Sequence, residues 1–195
     1  MEKQFDEKQS FALITEAVQN ARERIMEDGF FYLLWGYLVL AAALSHYVLL
    51  ELVDPRYAAA PWPILMTMGG IISGISGRKR SKKARMKTFF DTAMMYLWSA
   101  FLIALFMVLG FTAAGKIDPL ACYPLIIVIY GIGTWVSGGI LKFKPLLIGG
   151  ISCWIIAGVS FYFTFDIQIL MLALSILISY IIPGHMLKFK ASRNV

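Results

Sequence analysis

Charged side chains are scarce in this chain of 195 residues, and so are cysteine and histidine. Asp, Glu, Lys and Arg together make up 15% of the residues, whereas 59% are hydrophobic and the mean hydropathy is +0.71. A soluble domain usually contains about 25% charged residues, and a domain of this size exposes too much surface to bury such an apolar excess. The composition therefore excludes an ordinary soluble domain and predicts a protein whose solvent is lipid.

Cysteine and histidine are too few to indicate a disulfide framework or a metal centre. Cys122 and Cys153 both lie in apolar runs and show no CxxC spacing. The chain has two histidines, and His46 has no potential metal ligands clustered near it in the sequence. No metal and no cofactor are predicted.

One short segment matches a catalytic pattern. The sequence GISG at 74–77 fits the G-x-S-G of rhomboid-type intramembrane serine proteases, in which Ser76 would need a histidine such as His185 as its base. Ser76 lies in the second apolar run rather than the fourth, and no other rhomboid feature accompanies it. We interpret the segment as a ladder of small packing residues, and no catalytic residue is predicted.

The first 28 residues contain no apolar run, so the sequence offers no cleavable signal peptide. Apolar side chains recur there with a helical period, and Gly29 is well placed to end the helix. The segment has seven acidic and four basic residues, a net charge of −3, whereas a membrane-surface helix is usually basic on its polar face. We therefore predict that residues 1–29 form a cytoplasmic amphipathic helix that packs on protein. Its predicted partner or assembly face consists of Phe11, Ile14, Val18 and Ile25.

Six apolar runs follow, at residues 30–50, 62–77, 88–113, 120–141, 146–163 and 167–187. A helix of about 20 residues, rising ~1.5 Å per residue, crosses the ~30 Å hydrocarbon core of a bilayer. The prediction is an all-α polytopic membrane bundle of six transmembrane helices over residues 30–187, with a cytoplasmic tail at 188–195. Pro183 cannot donate to the Ser179 carbonyl, so a bend is expected there.

Basic residues set the predicted orientation. The segment between the second and third runs holds seven of the 18 Lys and Arg residues, namely Arg78, Lys79, Arg80, Lys82, Lys83, Arg85 and Lys87. Sixteen of the 18 precede the first run or follow an even-numbered run, and only Arg56 and Lys116 fall in the other loops. Because basic loops stay in the cytoplasm, both termini and this basic loop are predicted to be cytoplasmic. The basic residues lie between apolar runs rather than on one soluble face, so no nucleic acid partner is predicted.

Small residues lie near the C-terminal end of each even-numbered run, just before the basic residues. In the second run, two pairs of small residues spaced four apart would let a neighbouring helix approach closely. Each even-numbered run also has a glycine four residues before a basic-x-basic triplet, and the odd-numbered runs carry Trp35, Trp98 and Trp154. This pattern indicates three hairpin repeats; the alternative is that every cytoplasmic helix end needs small and basic residues. The predicted packing residues are Gly70, Ser73, Gly74, Gly77, Gly138 and Gly184.

Residues 10–50 carry two motifs around the predicted amphipathic helix. SFALI fits SxxLI, and GFFYLLWGYLV fits GFxYLLWGxLV. These residues resemble an uncharacterised family of small six-span inner-membrane proteins of Bacteroidetes-type bacteria. The resemblance implies a six-span fold in the bacterial inner membrane and supplies no catalytic residue.

The charge contrast between the N-terminal helix (−3) and the basic loop (+7) leads to a functional hypothesis. The helix would dock on this loop in the same or a neighbouring subunit; the alternative is that both are solvated, or that the loop meets anionic lipid headgroups. The predicted function is a non-enzymatic assembly or partner-binding protein, with the lipid bilayer, a homo-oligomer or a cytoplasmic protein as partners. The alternative function is a small transporter or channel with a pathway between the Gly/Ser-rich second, fourth and sixth runs.

Overall fold

The computed structural model of the protein describes residues 29–83 and 89–193, with side-chain positions over 29–80 and 89–190. Over these ranges the chain is helical and contains no strand, which confirms the predicted all-α class. The predicted N-terminal helix with Phe11, Ile14, Val18 and Ile25 lies outside the described residues, as do Arg85 and Lys87. The α-helices are α1 (Phe30–Val48), α2 (Pro61–Lys83), α3 (Phe89–Ala113), α4 (Pro119–Leu141), α5 (Lys144–Ser160), α6 (Phe165–Ile176) and α7 (Ile182–Arg193).

Two π-helical turns extend these helices. Leu49–Val53 continues α1, and Leu177–Ile181 joins α6 to α7, so that α6, this turn and α7 form one continuous rod, called the last helix below. The second turn lies where Pro183 removes a backbone donor, and a wider helical turn is a common way to accommodate such a gap. The expected disturbance at Pro183 is therefore a local change of helix type.

Within residues 29–83 and 89–193, five helical segments are long and apolar enough to cross a membrane, which is the character of a multi-pass membrane protein. They are Phe30–Val53, Pro55–Arg80, Phe89–Ala113, Pro119–Leu141 and Phe165–Lys190. The fifth predicted span, 146–163, corresponds to α5, an apolar helix of 17 residues that reaches only ~25 Å. Of the six predicted transmembrane helices, five therefore have the length and apolar character to span a membrane.

The predicted basic loop is wrong over most of its length, because α2 does not end at Gly77 but continues to Lys83. Arg78, Lys79, Arg80, Lys82 and Lys83 are all helical residues. Lys and Arg are good helix formers, and positive charge is favourable at the C-terminal end of a helix. The predicted tail at 188–195 is likewise helical up to Arg193, where α7 ends.

The core of the bundle consists of α1, α4, α5 and the last helix, which bury most of the large apolar side chains. Helix α2 packs mainly on α1, and α3 packs mainly on α4. Glycines bring α4 and α5 together: a Cβ at Gly150 would lie 2.9 Å from the Trp135 nitrogen and 3.0 Å from the Gly131 oxygen. Backbone therefore meets backbone at this helix pair, as small residues allow in membranes.

The helices run alternately up and down. At one end of the bundle, the end of α1 and the starts of α2, α4 and α6 meet in a cluster of His46, Trp62, Tyr123 and Phe165. At the other end, the start of α1 contacts Gly184 of α7. We call these two ends the aromatic end and the basic end.

Charge is distributed unequally between the two ends. The described basic side chains at the basic end are Arg78, Lys79, Arg80, Lys142, Lys144, Lys188 and Lys190, and the acidic residue near them is Asp91. The charged residues at the aromatic end are Glu51, Asp54, Arg56, Lys116, Asp118 and Asp166. The aromatic end is therefore net acidic and the opposite end strongly basic.

Candidate functional site

Helix α2 buries a small share of its residues in the described bundle, and among the helices of membrane-spanning length only α3 buries a smaller share. In the most apolar stretch of α2, 11% of residues are buried, compared with 56% for α4 and 50% for the last helix. The corresponding value for α3 is 6%. Two helices of membrane-spanning length therefore present most of their surface outwards, and α2 is the one that carries the predicted packing glycines.

In its middle and at its basic end, α2 is attached to α1 by close side-chain contacts. A Cβ at Gly69 would lie 2.7 Å from Leu38 and 3.2 Å from the Trp35 ring, so these side chains fill the space that glycine leaves. The guanidinium carbon of Arg80 lies 5.2 and 5.3 Å from the centres of the two phenyl rings that begin α1. This is a cation–π geometry, and it holds the end of α2 beside the start of α1.

At the aromatic end, α2 is attached through a buried histidine. The indole Nε1 of Trp62 donates to Nδ1 of His46 at 2.9 Å, and the Tyr123 hydroxyl lies 2.9 Å from the same nitrogen. His46 is only 5% exposed and packs edge-on against the Phe165 ring. Because an indole N–H can only donate, Nδ1 must be an acceptor, so the imidazole is neutral, carries its proton on Nε2, and receives the Tyr123 hydrogen as well.

The outward side of α2 is apolar and interrupted by glycine. Gly70 and Gly74 are exposed, and a Cβ at either position would meet nothing within 4 Å. We call this surface the glycine face; it consists of Gly70, Gly74 and the exposed side chains of Ile64, Thr67, Met68, Ile71 and Ile75. A shallow, open groove with an almost wholly apolar lining runs beside it from Pro63 to Ile72.

The predicted packing glycines are of two kinds: at some, a neighbouring helix occupies the space that a Cβ would take (filled), and at others this space is empty (open). A Cβ at Gly138 would lie 2.8 Å from the Leu147 nitrogen, and one at Gly184 would lie 2.9 Å from the Leu33 side chain. Gly77, like Gly70 and Gly74, has no such neighbour. Ser73 lies on the inward side of α2, where its Oγ is buried without a hydrogen-bond partner in the described part of the chain. Within one described chain, the close helix approach predicted for the second run is therefore absent at Gly70, Gly74 and Gly77.

The three predicted hairpins do not have equivalent surroundings. Trp35 packs on Gly69 and Trp98 packs on Gly133, so the first two hairpins share a contact of tryptophan with glycine. Trp154 instead packs on Gly131 of the preceding helix, and its Nε1 lies 3.3 Å from the Val128 oxygen. A threefold repeat stays a prediction, and the geometry departs from it in the third hairpin.

The catalytic alternative receives no geometric support from the described contacts. The His185 ring is hydrogen-bonded through Nε2 to the Tyr37 hydroxyl at 2.8 Å and not to Ser76, which lies on α2. Within 29–83 and 89–193, no group of three or more His, Cys, Asp or Glu residues could hold a metal ion.

Sequence reasoning missed Gln168, which is fully buried in α6. Its Nε2 lies 2.8 Å from the Leu120 oxygen, 3.1 Å from that of Ser160 and 3.2 Å from that of Phe163. Pro124 lies inside α4, four residues after Leu120, and cannot donate to that carbonyl. The Gln168 amide therefore replaces a missing backbone donor. A proline in one apolar run and a lone amide in another were the signals that could have pointed to it.

Sequence reasoning also missed a buried aromatic cluster at the centre of the bundle. Tyr180 packs with its ring centre 5.7 Å from that of Tyr32, 5.3 Å from Tyr130 and 6.1 Å from Trp98. The hydroxyls of Tyr32 and Tyr180 are buried and make no hydrogen bond of good geometry among the described residues; Ser137 lies near the first hydroxyl and Thr134 near the second. The cluster joins α1, α3, α4 and the last helix by ring packing.

No family model, curated protein or solved structure matches the chain. The resemblance seen in residues 10–50 therefore stays a prediction, and a functional conclusion has to be argued from the geometry.

Proposed function

We propose that this chain is a non-enzymatic assembly protein of the bacterial inner membrane, and that the glycine face of α2 binds a second copy of the chain. The observation that carries the proposal is a pair of open glycines, Gly70 and Gly74, on a membrane-length helix that is largely uncovered. Where α4 and α5 pack, the same chain fills such glycines with a neighbouring backbone, as at Gly150.

The spacing of the open glycines suits a helix partner. Glycines four residues apart lie on one side of a helix and let two backbones approach closely, which favours association by van der Waals contact in lipid. The neighbouring Ile71 and Ile75 are 59% and 50% exposed and would form the walls of such a contact. A second α2 offers a complementary surface, since a twofold arrangement brings identical faces together.

The membrane orientation is part of the same proposal. The basic end would lie in the cytoplasm, because Lys and Arg accumulate on that side, and the net acidic aromatic end would lie outside. Helix α5 would also cross the membrane, as the fifth of six spans, since it runs from Lys144 at the basic end to Ser160, whose oxygen is bound by Gln168 near the aromatic end. An even number of crossings would place both termini in the cytoplasm, where residues 1–28 would add a partner-binding or assembly helix.

The transporter alternative has less support. It requires a pathway between α2, α4 and the last helix, but α1 packs against both α2 and the last helix, and Trp62 of α2 packs against Tyr123 of α4 at the aromatic end. Two hollows in the described part of the chain are open grooves with mainly apolar linings along α2. They do not have the polar lining that a pathway for ions or polar solutes would need.

The test is the molecular mass of the purified protein in detergent micelles, combined with cross-linking in native membranes. We expect an oligomer, and we expect Gly70→Leu with Gly74→Leu to weaken it at least tenfold, which corresponds to ~1.4 kcal/mol. The matched control is Gly158→Leu, since a Cβ at Gly158 also meets nothing within 4 Å. A wild-type protein that is monomeric in both settings, or a double variant that behaves like the control, would refute the proposal.

Deletion of residues 1–28 separates the two assembly elements. If the glycine face is sufficient, the truncated chain forms an oligomer with the same number of subunits as the full chain. A smaller number of subunits would assign assembly to the N-terminal segment instead.

A further inference from the structure

The hydrogen bond between Trp62 and His46 holds α2 at the aromatic end, and it depends on the protonation state of one atom. Nδ1 of a neutral imidazole has one lone pair, yet both the Trp62 N–H and the Tyr123 hydroxyl approach it at 2.9 Å. The two donors therefore share a single acceptor. Any proton added to Nδ1 turns that acceptor into a donor.

The two partners respond differently to such a proton. The Tyr123 hydroxyl can rotate and accept the new N–H, because a phenolic oxygen keeps acceptor capacity. The Trp62 indole has no acceptor, so its N–H would face the N–H of an imidazolium at 2.9 Å. Protonation thus preserves the hydrogen bond between α1 and α4 and removes the hydrogen bond between α1 and α2 at the aromatic end, while the contacts at Gly69 and Arg80 remain.

We propose that His46 is a proton-controlled latch, which holds the aromatic end of α2 when it is neutral and releases Trp62 when it is charged. The consequence for assembly, though not the latch itself, rests on the proposed function, because α2 carries the glycine face. Release of one end of α2 would change the angle at which this face meets a second copy. The acidity of the outer compartment would then regulate association.

The immediate surroundings of His46 are aromatic, and the charged groups lie on the segments that adjoin them. The residue lies two positions before Val48, and the π-helical turn Leu49–Val53 carries the helix on, so that His46 is seven residues, or ~10 Å, from the end of this segment. Its ring neighbours Trp62, Tyr123 and Phe165, on α2, α4 and α6, are uncharged. The charged groups on the adjoining segments are Glu51, Asp54 and Arg56 after α1, Lys116 and Asp118 before α4, and Asp166 in α6. Histidine is the side chain whose charge ordinarily changes between pH 5 and 8.

The experiment follows Trp62 between pH 8 and pH 5 in the full-length protein in detergent. Acrylamide quenching of tryptophan fluorescence is measured for the wild type and for Trp62→Phe, and the difference isolates Trp62. We expect the quenching constant of Trp62 to rise at least about twofold on acidification. His185→Gln should keep this transition, and His46→Gln should abolish it, because an amide oxygen accepts the indole N–H without titrating. A wild type without a transition, or a transition that survives in His46→Gln, would overturn the latch.

Two further measurements keep the test decisive if His46→Gln fails to fold. In Tyr123→Phe, the charged imidazole loses its acceptor, so the midpoint of the transition should move to lower pH; an unchanged midpoint counts against the mechanism. Nitrogen-15 NMR of labelled histidine should show an unprotonated Nδ1 on His46 at neutral pH, and a protonated Nδ1 there would overturn the proposal. The oligomer mass, measured at both pH values, is a separate readout. A fluorescence transition in a protein that is always monomeric would support the latch and refute the proposed assembly function.

Discussion

The buried amide of Gln168 allows a specific prediction about stability, because a backbone N–H at position 124 could donate to the Leu120 carbonyl in its place. Gln168→Leu removes both amide hydrogens, which are shared among three carbonyl oxygens at 2.8 to 3.2 Å. Two hydrogens can make two good bonds, and each net bond contributes about 0.5–1.5 kcal/mol. The expected loss in the free energy of unfolding is therefore at most about 1–3 kcal/mol, because the substitution also removes the buried Oε1, which has no hydrogen-bond partner among the described residues.

A second substitution tests whether the Leu120 carbonyl is the critical partner. Pro124→Ala restores a backbone N–H four residues after Leu120, where α4 now lacks one. In the wild type this donor would meet a carbonyl already bound by Gln168, whereas in Gln168→Leu it would satisfy an unpaired carbonyl. We expect the double variant to recover about 1 kcal/mol relative to additivity, the coupling expected of groups in direct contact.

The assay is reversible unfolding in mixed micelles of increasing SDS content, followed by far-ultraviolet circular dichroism. Pro119→Ala is the matched control, because Pro119 is the first residue of α4, where a missing N–H removes no helical hydrogen bond. Its effect should be the same with Gln168 and with Leu at that position. If Pro124→Ala has an equal effect in both backgrounds, within about 0.5 kcal/mol, the explanation of Gln168 as a substitute donor is wrong.

Two further predictions use the same unfolding assay. Gly150→Ala should destabilise the protein by about 1–3 kcal/mol relative to Gly158→Ala. A Cβ at Gly150 would lie 2.9–3.0 Å from the α4 backbone, whereas a Cβ at Gly158 would meet nothing within 4 Å. Equal stabilities of the two variants would contradict the close contact of α4 and α5. Tyr180→Phe removes a buried hydroxyl that makes no hydrogen bond of good geometry among the described residues, and it should be neutral or stabilising by up to about 1 kcal/mol. Tyr123→Phe removes a hydrogen bond to His46 and should cost about 1 kcal/mol at neutral pH; the opposite order would refute this distinction.

The basic segment shows how far local patterns extend. Its position between two apolar runs is predicted correctly, because hydropathy is a local property of the sequence. Its helical conformation is not predicted correctly. Lys and Arg are polar and so suggest a loop between two apolar runs, but they also have a high helix propensity, and no proline or glycine interrupts the chain between Arg78 and Lys83. The shorter-than-predicted α5 has a related cause, because apolar residues continue past Ser160, where the helix ends.

The packing glycines show what local sequence patterns do not predict, namely which glycines are covered by a neighbouring helix. Gly74, Gly138 and Gly184 have the same spacing to a basic triplet, yet two of them are filled by neighbouring helices and Gly74 is open. A helix in lipid is apolar on all sides, so the sequence does not mark which face meets protein and which meets lipid. The choice among identical motifs depends on which helices become neighbours.

The sequence by itself determined that this protein is helical, that its helices suit a membrane, and that its basic residues gather at one end, since each property depends on residues close together in the chain. Only the tertiary structure decided the partners of His46, Gln168 and the glycines. Trp62 lies 16 residues from His46 and Tyr123 lies 77 residues from it, while Gln168 and Leu120 are 48 apart. Such contacts arise from the packing of whole helices, and that packing links a single imidazole nitrogen to the position of α2.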